Sequence, residues 1–366
     1  MDHSRGAGSG GVRGESEPRR APERHVVWGA GAMGGSLGAA WARAGVNVLF
    51  VDVDRAQVSA VREHGLRITG PVDAFTVRAP ILTPEEVAAR VAGGTEPPFR
   101  WVHLAVKAHH TGAALRVLAP LLAADGCVVS VQNGLNERVI AEAVGVARTV
   151  GCFVNFGADV VEPGVVHRGN RGAVVVGELD GALTPRIRAL HALYGRFEPD
   201  ALLTRNIEGF LWGKLAYGAL LFATALTPAS IADVLASPRH RPLLCALARE
   251  VLRVARARGI RPEAFDGFDP LAFDPGAPAG AAEATLDRLV AFNRASAKTH
   301  SGVWRDLAVR RRPTEVDAQI APIATLGREV GVAAPLVERL VALVHNVEAG
   351  VRTQSWETLD ALGTGD

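Results

Sequence analysis

A glycine-rich segment directly after the first predicted strand has the spacing of a loop that binds the phosphates of a dinucleotide. The spacing is GxGxxG, and a helical pattern begins inside it, so amides at the start of that helix would face an anion. Gly29 would permit the tight turn, Gly31 would let phosphates approach the backbone, and Gly34 would let the helix pack on the strand. The alternative is a glycine turn without a ligand. The residues assigned to a cofactor are Gly29, Ala30, Gly31, Ala32, Met33 and Gly34.

An acidic residue at the end of the second predicted strand bears on the choice of cofactor. Asp52 stands where such folds place a carboxylate that accepts the hydroxyls of the adenine ribose. A 2′-phosphate would be repelled by this charge unless Arg55 neutralised it, so the sequence favours NADH over NADPH among the NAD(P)H cofactors. In the alternative interpretation, Asp52 caps the helix that follows.

A single lysine interrupts a segment that is apolar nearly all round a predicted helix. Lys214 has Phe210, Trp212, Leu215 and Tyr217 as sequence neighbours. Burial among such residues is expected to lower its pKa, and a lysine shifted toward neutrality can polarise a ketone and give it a proton. In the alternative, the stem of Lys214 packs while its ammonium reaches water.

Two polar residues follow strands of the predicted sheet. Lys107 comes after the fourth strand and Asn133 after the fifth, at the carboxyl ends where open parallel sheets bind ligands. Both are therefore expected to reach the cofactor. For Asn133, a simple Asn-Gly turn with Gly134 is the competing interpretation.

Charge and composition exclude several classes of partner. The 40 basic side chains nearly balance the 38 acidic ones, which gives no general field for nucleic acid or an anionic membrane. Small-molecule partners are expected, and a homodimer is compatible with the sequence. His109, His110 and His300 lack the spacing of metal ligands, so no metal is expected. Residues 1–24 lack the apolar run of a signal peptide, which predicts a cytoplasmic location.

Alternation of β-branched runs with alanine-rich helical stretches positions these residues. The pattern predicts an α/β fold: a Rossmann-type, doubly wound parallel sheet followed by an all-helical C-terminal domain. The clearest strands are 25–28, 47–52, 101–106 and 126–131, and the helices between them are 32–44, 55–64, 111–122 and 135–144. An antiparallel excursion is expected at 65–82. Two further strands, 148–156 and 165–177, are expected to be joined by a turn at 162–164.

The chain divides into four parts by composition. Residues 1–24 are rich in Gly, Arg, Glu, Ser and Pro and are expected to be a disordered tail. Residues 25–204 are predicted to form the dinucleotide-binding Rossmann domain, and residues 205–348 a helical substrate and catalytic domain. Residues 349–366 are assigned to a C-terminal tail.

Several motifs in this order resemble the ketopantoate reductase (2-dehydropantoate 2-reductase) family. They are GAGAMGG at the glycine loop, LAVKA at 104–108, QNG at 132–134, WGKLA at 212–216 and PTEVD at 313–317. The resemblance implies a Rossmann domain followed by a helical domain, with catalysis in the cleft between them, and a place in pantothenate biosynthesis.

The resemblance also implies roles for individual residues. Lys214 matches the family's proton donor, and Glu315 matches a glutamate that contacts the cofactor ribose and lies near that lysine. Lys107 and Asn133 would bind the nicotinamide half, and Asn133 would also orient the substrate. Ser301 matches a serine that helps hold the substrate carboxylate. By itself, Glu315 would be an ordinary exposed glutamate in the first turn of a helix starting near Thr314.

The chain departs from the family on the helix of Lys214. Where the family has two asparagines that hold the substrate, this chain has Gly218 and Phe222, or Tyr217 and Leu221 if the alignment slides by one. The pocket is therefore expected to be more apolar, and a substrate without pantoate's hydroxyl is predicted.

A second departure lies near the substrate serine. The family's serine pair becomes Ser301 and Gly302, so only one hydroxyl is kept. Arg305 is expected either to contact a substrate carboxylate or to pair with Asp306 at the surface.

Together these observations predict an NAD(P)H-dependent reductase of a small 2-oxo acid, with Lys214 as proton donor. A relative that acts on another group, such as an opine-type or imine-reducing dehydrogenase, is the alternative enzyme. A nucleotide-binding sensor without turnover is the alternative from another class.

Overall fold

A computed structural model describes residues 23–295 and 299–364 of the chain. Its strands are β1 (His25–Trp28), β2 (Val48–Val51), β3 (Leu66–Thr69), β4 (Phe75–Val77), β5 (Ile81–Leu82), β6 (Phe99–Leu104), β7 (Leu122–Ser130), β8 (Thr149–Val154), β9 (Gly157–Glu162), β10 (Val165–Asn170), β11 (Val174–Glu178) and β12 (Leu202–Leu203).

The helices of the first domain alternate with these strands, and those of the second follow one another. They are α1 (Ala32–Arg43), α2 (Arg55–His64), α3 (Pro84–Ala92), α4 (Thr111–Leu118), α5 (Asn136–Val144), α6 (Pro185–Tyr194), α7 (Ile207–Thr224), α8 (Ile231–Ala236), α9 (Arg241–Ala257), α10 (Ala281–Ala295), α11 (Gly302–Ala308), α12 (Val316–Gln319), α13 (Ala321–Glu329), α14 (Pro335–Glu348) and α15 (Trp356–Thr364).

The large sheet has eight strands in the order β12-β11-β8-β7-β6-β1-β2-β5, and every pair except β11 with β8 is parallel. Apolar side chains cover both faces of this sheet: in β1, Val26 and Val27 are fully buried and belong to two different core clusters on opposite faces. The predicted fold class, a doubly wound sheet followed by helices, is confirmed.

A smaller sheet with the order β4-β3-β10-β9 packs against α1. The antiparallel excursion predicted at 65–82 is its β3–β4 pair, although β5 instead joins the large sheet in parallel with β2. The prediction of two strands over 148–177 is wrong, because this segment forms four. The turn at 162–164 joins β9 to β10, while β8 pairs with β11.

The helical domain is built around α7, which is buried on nearly every side. Helices α9, α10 and α14 contribute Leu247, Leu286 and Leu340 to the same core. The core also takes in Phe153 and Val175 from the large sheet, so the two domains share apolar contacts. Within the described residues, no helix is both long and apolar enough to span a bilayer.

In the structure, some residues of each predicted tail pack against a domain. Glu23 and Arg24 already contact the first domain, through Trp101 and Glu96, while the disorder predicted for residues 1–22 lies outside the described residues. Residues 356–364 of the predicted C-terminal tail form α15. Leu359 and Leu362 are buried one turn apart, which holds this helix on the helical core.

Candidate active site

A cavity of about 760 Å³ lies between the carboxyl edge of the large sheet and the helical domain. Ala30 and Gly34 lie outside its wall. The other residues assigned to a ligand from the sequence all line it: Gly29, Gly31, Ala32, Met33, Asp52, Lys107, Asn133, Lys214, Ser301 and Glu315.

The glycine loop needs its glycines for different reasons. Gly29 has a φ of +105°, and a Cβ there would lie 2.9 Å from the Ala105 carbonyl carbon. A Cβ on Gly34 would lie 2.1 Å from the Gly29 oxygen and 2.8 Å from Val27, so α1 can approach β1 only without a side chain. Nothing lies within 4 Å of a Cβ on Gly31, the N-cap of α1, so its backbone is open to the cavity. This open helix start suits a phosphate group.

Asp52 is bound to the glycine loop rather than to the helix after it. Its Oδ2 accepts a hydrogen bond from the Ala30 amide at 2.7 Å, and its Oδ1 accepts one from the Asp54 amide at 2.9 Å. Burial raises the pKa of Asp52, and these amides offset part of the rise. The capping alternative for Asp52 is wrong, because Asp54 caps α2 through Ala56 and Gln57. Asp52 therefore joins the end of the second strand to the glycine loop.

Lys214 projects from the middle of α7 toward the end of β8. Its ammonium donates a hydrogen bond to the Val154 carbonyl and lies 5.1 Å from the centre of the Phe153 ring. Burial lowers the pKa of Lys214 to about 8, although Cys152, Asp266 and Glu315 oppose the change. The shift has the direction predicted from the apolar helix. Lys214 also lines the cavity.

Glu315 contacts the first domain rather than Lys214. Its Oε1 accepts a hydrogen bond from the Ala108 amide at 2.8 Å, and its Oε2 lies 3.9 Å from the Lys107 ammonium. The resemblance implied that Glu315 lies near Lys214. In the structure, the charge of Glu315 raises the pKa of Lys214 only slightly against the effect of burial. The physical reason is that Glu315 precedes α12, which packs beside Ala108.

Lys107 is held by a carboxylate that the sequence placed at the surface. Its ammonium lies 2.9 Å from Asp306 Oδ2, and Asp306 is buried. Arg310 and Arg312 donate to the other oxygen of Asp306 at 3.0 and 2.9 Å. Burial opposes ionisation of Asp306, but these cations outweigh it and hold its pKa below the ordinary value. This cluster links the two domains at one side of the cavity.

Asn133 and its glycine form the turn predicted from the sequence, and the side chain of Asn133 is exposed at the cavity. Gly134 has a φ of +96°, which favours glycine. The Asn133 carbonyl accepts a hydrogen bond from Asn136 at 2.7 Å, and Asn136 in turn contacts Thr111. Asn133 can therefore both form the turn and bind a ligand. Its backbone carbonyl is held by Asn136, while its side-chain carboxamide is exposed at the cavity.

Ser301 directly precedes α11, and Arg305 lies within it. Ser301 Oγ caps this helix by accepting a hydrogen bond from the Trp304 amide at 3.1 Å, and the residue also lines the cavity. Arg305 pairs with Asp159 of β9 at 2.9 Å. The predicted pairing of Arg305 with Asp306 is therefore wrong, because the two side chains contact different elements of the first domain.

The far side of the cavity is mostly apolar, as predicted from the missing asparagines, although Asn293 of α10 also lines it. Both Gly218 and Phe222 line it, together with the two residues of the alternative alignment, and a Cβ on Gly218 would meet nothing within 4 Å. The apolar wall is defined here as Leu211, Leu215, Tyr217, Gly218, Leu221, Phe222, Ile231, Phe292 and Val303.

Sequence reasoning assigned no role to several polar residues that line the cavity, among them Asn155, Asn170, Asn293 and Gln319. Asn155 follows β8, lines the cavity and donates to Asp266 of the helical domain at 2.7 Å. No sequence signal marks this contact, since the two residues meet only through the fold. His109 contacts His110, and His300 stacks on Trp304. Among the described residues, no group of three potential ligands could hold a metal.

Comparison with known proteins gives the family. A sequence model described as "Ketopantoate reductase PanE/ApbA" matches residues 25–181, and one described as "Ketopantoate reductase PanE/ApbA C terminal" matches residues 206–348. The chain belongs to the ketopantoate reductase family. It is therefore an NAD(P)-dependent oxidoreductase of the 2-dehydropantoate 2-reductase type.

Individual ketopantoate reductases are similar over nearly their whole length. The 2-dehydropantoate 2-reductase of Mesorhizobium japonicum is 27% identical, over 88% of this chain and 97% of that one. A solved 2-dehydropantoate 2-reductase from Geobacter metallireducens has a TM-score of 0.74 at 25% identity, over 88% and 99% of the two chains. D-mandelate dehydrogenase, solved with NADH and anilino(oxo)acetate, has a TM-score of 0.76 at 21% identity, over 90% and 99%.

Proposed function

We propose that this protein is a reductase that prefers NADH and converts a 2-oxo acid with an apolar side chain into the 2-hydroxy acid. The observation that carries the proposal is Lys214, a half-buried lysine with a lowered pKa in a cavity that the glycine loop also lines. The curated relatives from Mesorhizobium japonicum and Halobacterium salinarum are both 2-dehydropantoate 2-reductases, which supports reduction of a 2-oxo acid.

The cofactor would be held by residues along the edge of the large sheet. The amides at the open start of α1 suit its phosphates, and Asp52 suits the adenine ribose. Lys107 and Asn133 suit the nicotinamide half, because they follow β6 and β7 at the carboxyl edge of the sheet and line the cavity, and Glu315 suits a cofactor ribose. A bound reduced nicotinamide would supply the hydride.

Lys214 would supply the proton. With a pKa of about 8, its side chain is mostly an ammonium at neutral pH, yet it gives up a proton more readily than an exposed lysine. Val154 takes one of its hydrogen bonds, which leaves other N–H groups for a keto oxygen. Burial raises the pKa of nearby Tyr217 above that of an ordinary phenol, so Tyr217 is a poorer donor.

The side chain of the substrate would pack against the apolar wall. The wall offers Leu221 and Phe222 on the helix where the family is expected to present asparagines, so a hydroxyl there would lose hydrogen bonds with water and gain none from these residues. D-mandelate dehydrogenase, which shares the fold, binds an oxo acid that carries an aromatic group. A branched or aromatic 2-oxo acid is thus favoured over ketopantoate.

We also propose that the chain divides into two domains near Thr204, because the proposed site lies between residues before and after this point. The cytoplasmic location and the homodimer stay predictions.

A spectrophotometric screen tests the proposed function. Purified protein is mixed with NADH or NADPH and with ketopantoate, a branched 2-oxo acid or phenylglyoxylate, each with and without an amine. Oxidation of NADH by the apolar 2-oxo acids without amine is the expected result. Turnover only with amine would support the imine-reducing alternative, and cofactor binding without any turnover would support the sensor.

A further inference from the structure

Asp266 occupies the tip of a turn that is anchored in the helical domain. Its neighbours Phe265 and Phe268 are buried and exchange main-chain hydrogen bonds of 3.1 and 2.8 Å. Asp266 has a φ of +41°, a left-handed conformation that is uncommon for residues other than glycine and is best tolerated by Asn and Asp. The fold therefore maintains a costly backbone conformation at this carboxylate.

The carboxylate of Asp266 crosses to the first domain. Its Oδ2 accepts hydrogen bonds from the Asn155 side chain at 2.7 Å and from the Ala173 amide at 3.1 Å. Asn155 and Ala173 are themselves paired, since the Asn155 amide donates to the Ala173 carbonyl at 2.8 Å. Asp266 thus fixes the end of β8 against the start of β11.

The segment that Asp266 fixes also holds the proposed proton donor. Val154, whose carbonyl accepts the hydrogen bond from Lys214, immediately precedes Asn155. A carboxylate can only accept hydrogen bonds, so Asn155 turns its amino group to Asp266, and its carbonyl oxygen lies at the other end of the carboxamide. Asn155 lines the cavity, and it does so from the sheet side, opposite the helix that lacks the family's asparagines.

We propose that Asp266 is a positioning residue for the reduction, which acts through Asn155 to hold the Val154 carbonyl and the Lys214 ammonium in place. The inference rests on the proposed function for its kinetic consequences, but its effect on Lys214 is independent of turnover. Asn155 is likewise a positioning residue, because its side chain joins the turn of Asp266 to the end of β8.

Charge gives the proposal a measurable signature. The acidic groups facing Lys214 are Cys152 from β8, Asp266 from the turn and Glu315 before α12, and each opposes the lowering of the lysine's pKa by burial. Removing the charge of Asp266 therefore lowers the pKa of Lys214 further. A proton donor is active when protonated, so the alkaline limb of the activity profile moves to lower pH.

Three variants separate the contributions of charge, hydrogen bond and backbone. Asp266→Asn removes the charge but suits the left-handed conformation, Asp266→Gly removes the bridge and relieves the backbone, and Asn155→Ala removes the bridge from the other side. Asp269→Asn is the matched control, because Asp269 belongs to the same loop, caps a turn through Leu271 and does not line the cavity.

The pKa of Lys214 is measured by competitive acetylation and mass spectrometry, which needs no substrate, and kcat and KM are measured with NADH and the best 2-oxo acid. Expected results are a lower Lys214 pKa in Asp266→Asn than in Asp269→Asn, and a kcat reduced about tenfold or more in Asp266→Gly with KM for NADH unchanged. The Asp266→Gly, Asn155→Ala double variant should be no worse than the poorer single variant.

An unchanged Lys214 pKa in Asp266→Asn, together with a normal kcat in Asn155→Ala, would overturn the proposal. Additive losses in the double variant would show that Asp266 does not act through Asn155. If Asp266→Gly does not fold, Asp266→Asn and Asn155→Ala carry the test. If the unaltered protein turns over no 2-oxo acid, the proposed function fails, while the acetylation measurement still decides the role of Asp266.

Discussion

Replacing Asp52 with serine should weaken the preference for NADH over NADPH. Asp52 is held 2.7 Å from the Ala30 amide, beside the glycine loop that is proposed to bind the cofactor phosphates. Two like unit charges about 4 Å apart repel by roughly 4 kcal/mol at an effective dielectric constant of about 20. Screening by salt at this partly open site reduces the repulsion to about 2 kcal/mol, which corresponds to roughly a 30-fold preference in kcat/KM.

The assay compares kcat/KM for NADH and NADPH with one substrate at fixed ionic strength. In Asp52→Ser the ratio should fall toward one, chiefly because NADPH improves. Asp54→Ser is the matched control, since Asp54 is an exposed helix cap two residues away and serine caps as well. Raising the salt concentration should also narrow the ratio in the unaltered protein.

Equal or better use of NADPH by the unaltered protein would refute the reasoning about Asp52. An Asp54→Ser variant that changes the ratio as much as Asp52→Ser would show that general negative charge, rather than the Asp52 position, sets the preference. Thermal unfolding of both variants verifies that the loop is intact, because serine must replace the acceptor of the Ala30 amide.

Three further predictions follow from the geometry. Phe222→Asn should raise kcat/KM for ketopantoate relative to phenylglyoxylate by about tenfold, measured in the same assay, because it restores an amide in the apolar wall. Gly34→Ala should prevent folding, since its Cβ would lie 2.1 Å from the Gly29 oxygen, whereas Gly31→Ala should fold with weaker NADH binding, as circular dichroism and fluorescence titration would show. The kcat for reduction should fall as pH rises through about 8, where Lys214 loses its proton; an alkaline limb identical in Lys214→Arg would contradict this assignment.

Local sequence patterns predicted the elements that carry the cofactor loop. The strand β1 and the helix α2 have the predicted bounds, because a short apolar run, Val26 to Trp28, and a capped amphipathic stretch specify them locally. Gly29 and Gly34 stand at contacts that only glycine allows, which is why the motif was informative.

Contacts between distant segments could not be predicted in this way. The ion pair of Lys107 with Asp306 joins residues from different domains, and so does the pair of Arg305 with Asp159. The splitting of 148–177 into four strands depends on a second sheet formed with β3 and β4, and the sequence near Asn155 contains no turn signal strong enough to reveal it. Helix α15 is short, and its stability comes from packing on the helical core.

Single-turnover oxidation of bound NADH by a 2-oxo acid, compared between the unaltered protein and Lys214→Ala, tests the central claim most directly. Alanine favours the helix, so α7 should persist and NADH affinity should stay within about twofold. The rate should fall by about 100-fold or more, the usual scale for losing a general acid, because alanine has no proton to donate. Near-normal turnover in Lys214→Ala, with the fold intact, would contradict the assignment of Lys214 as the proton donor.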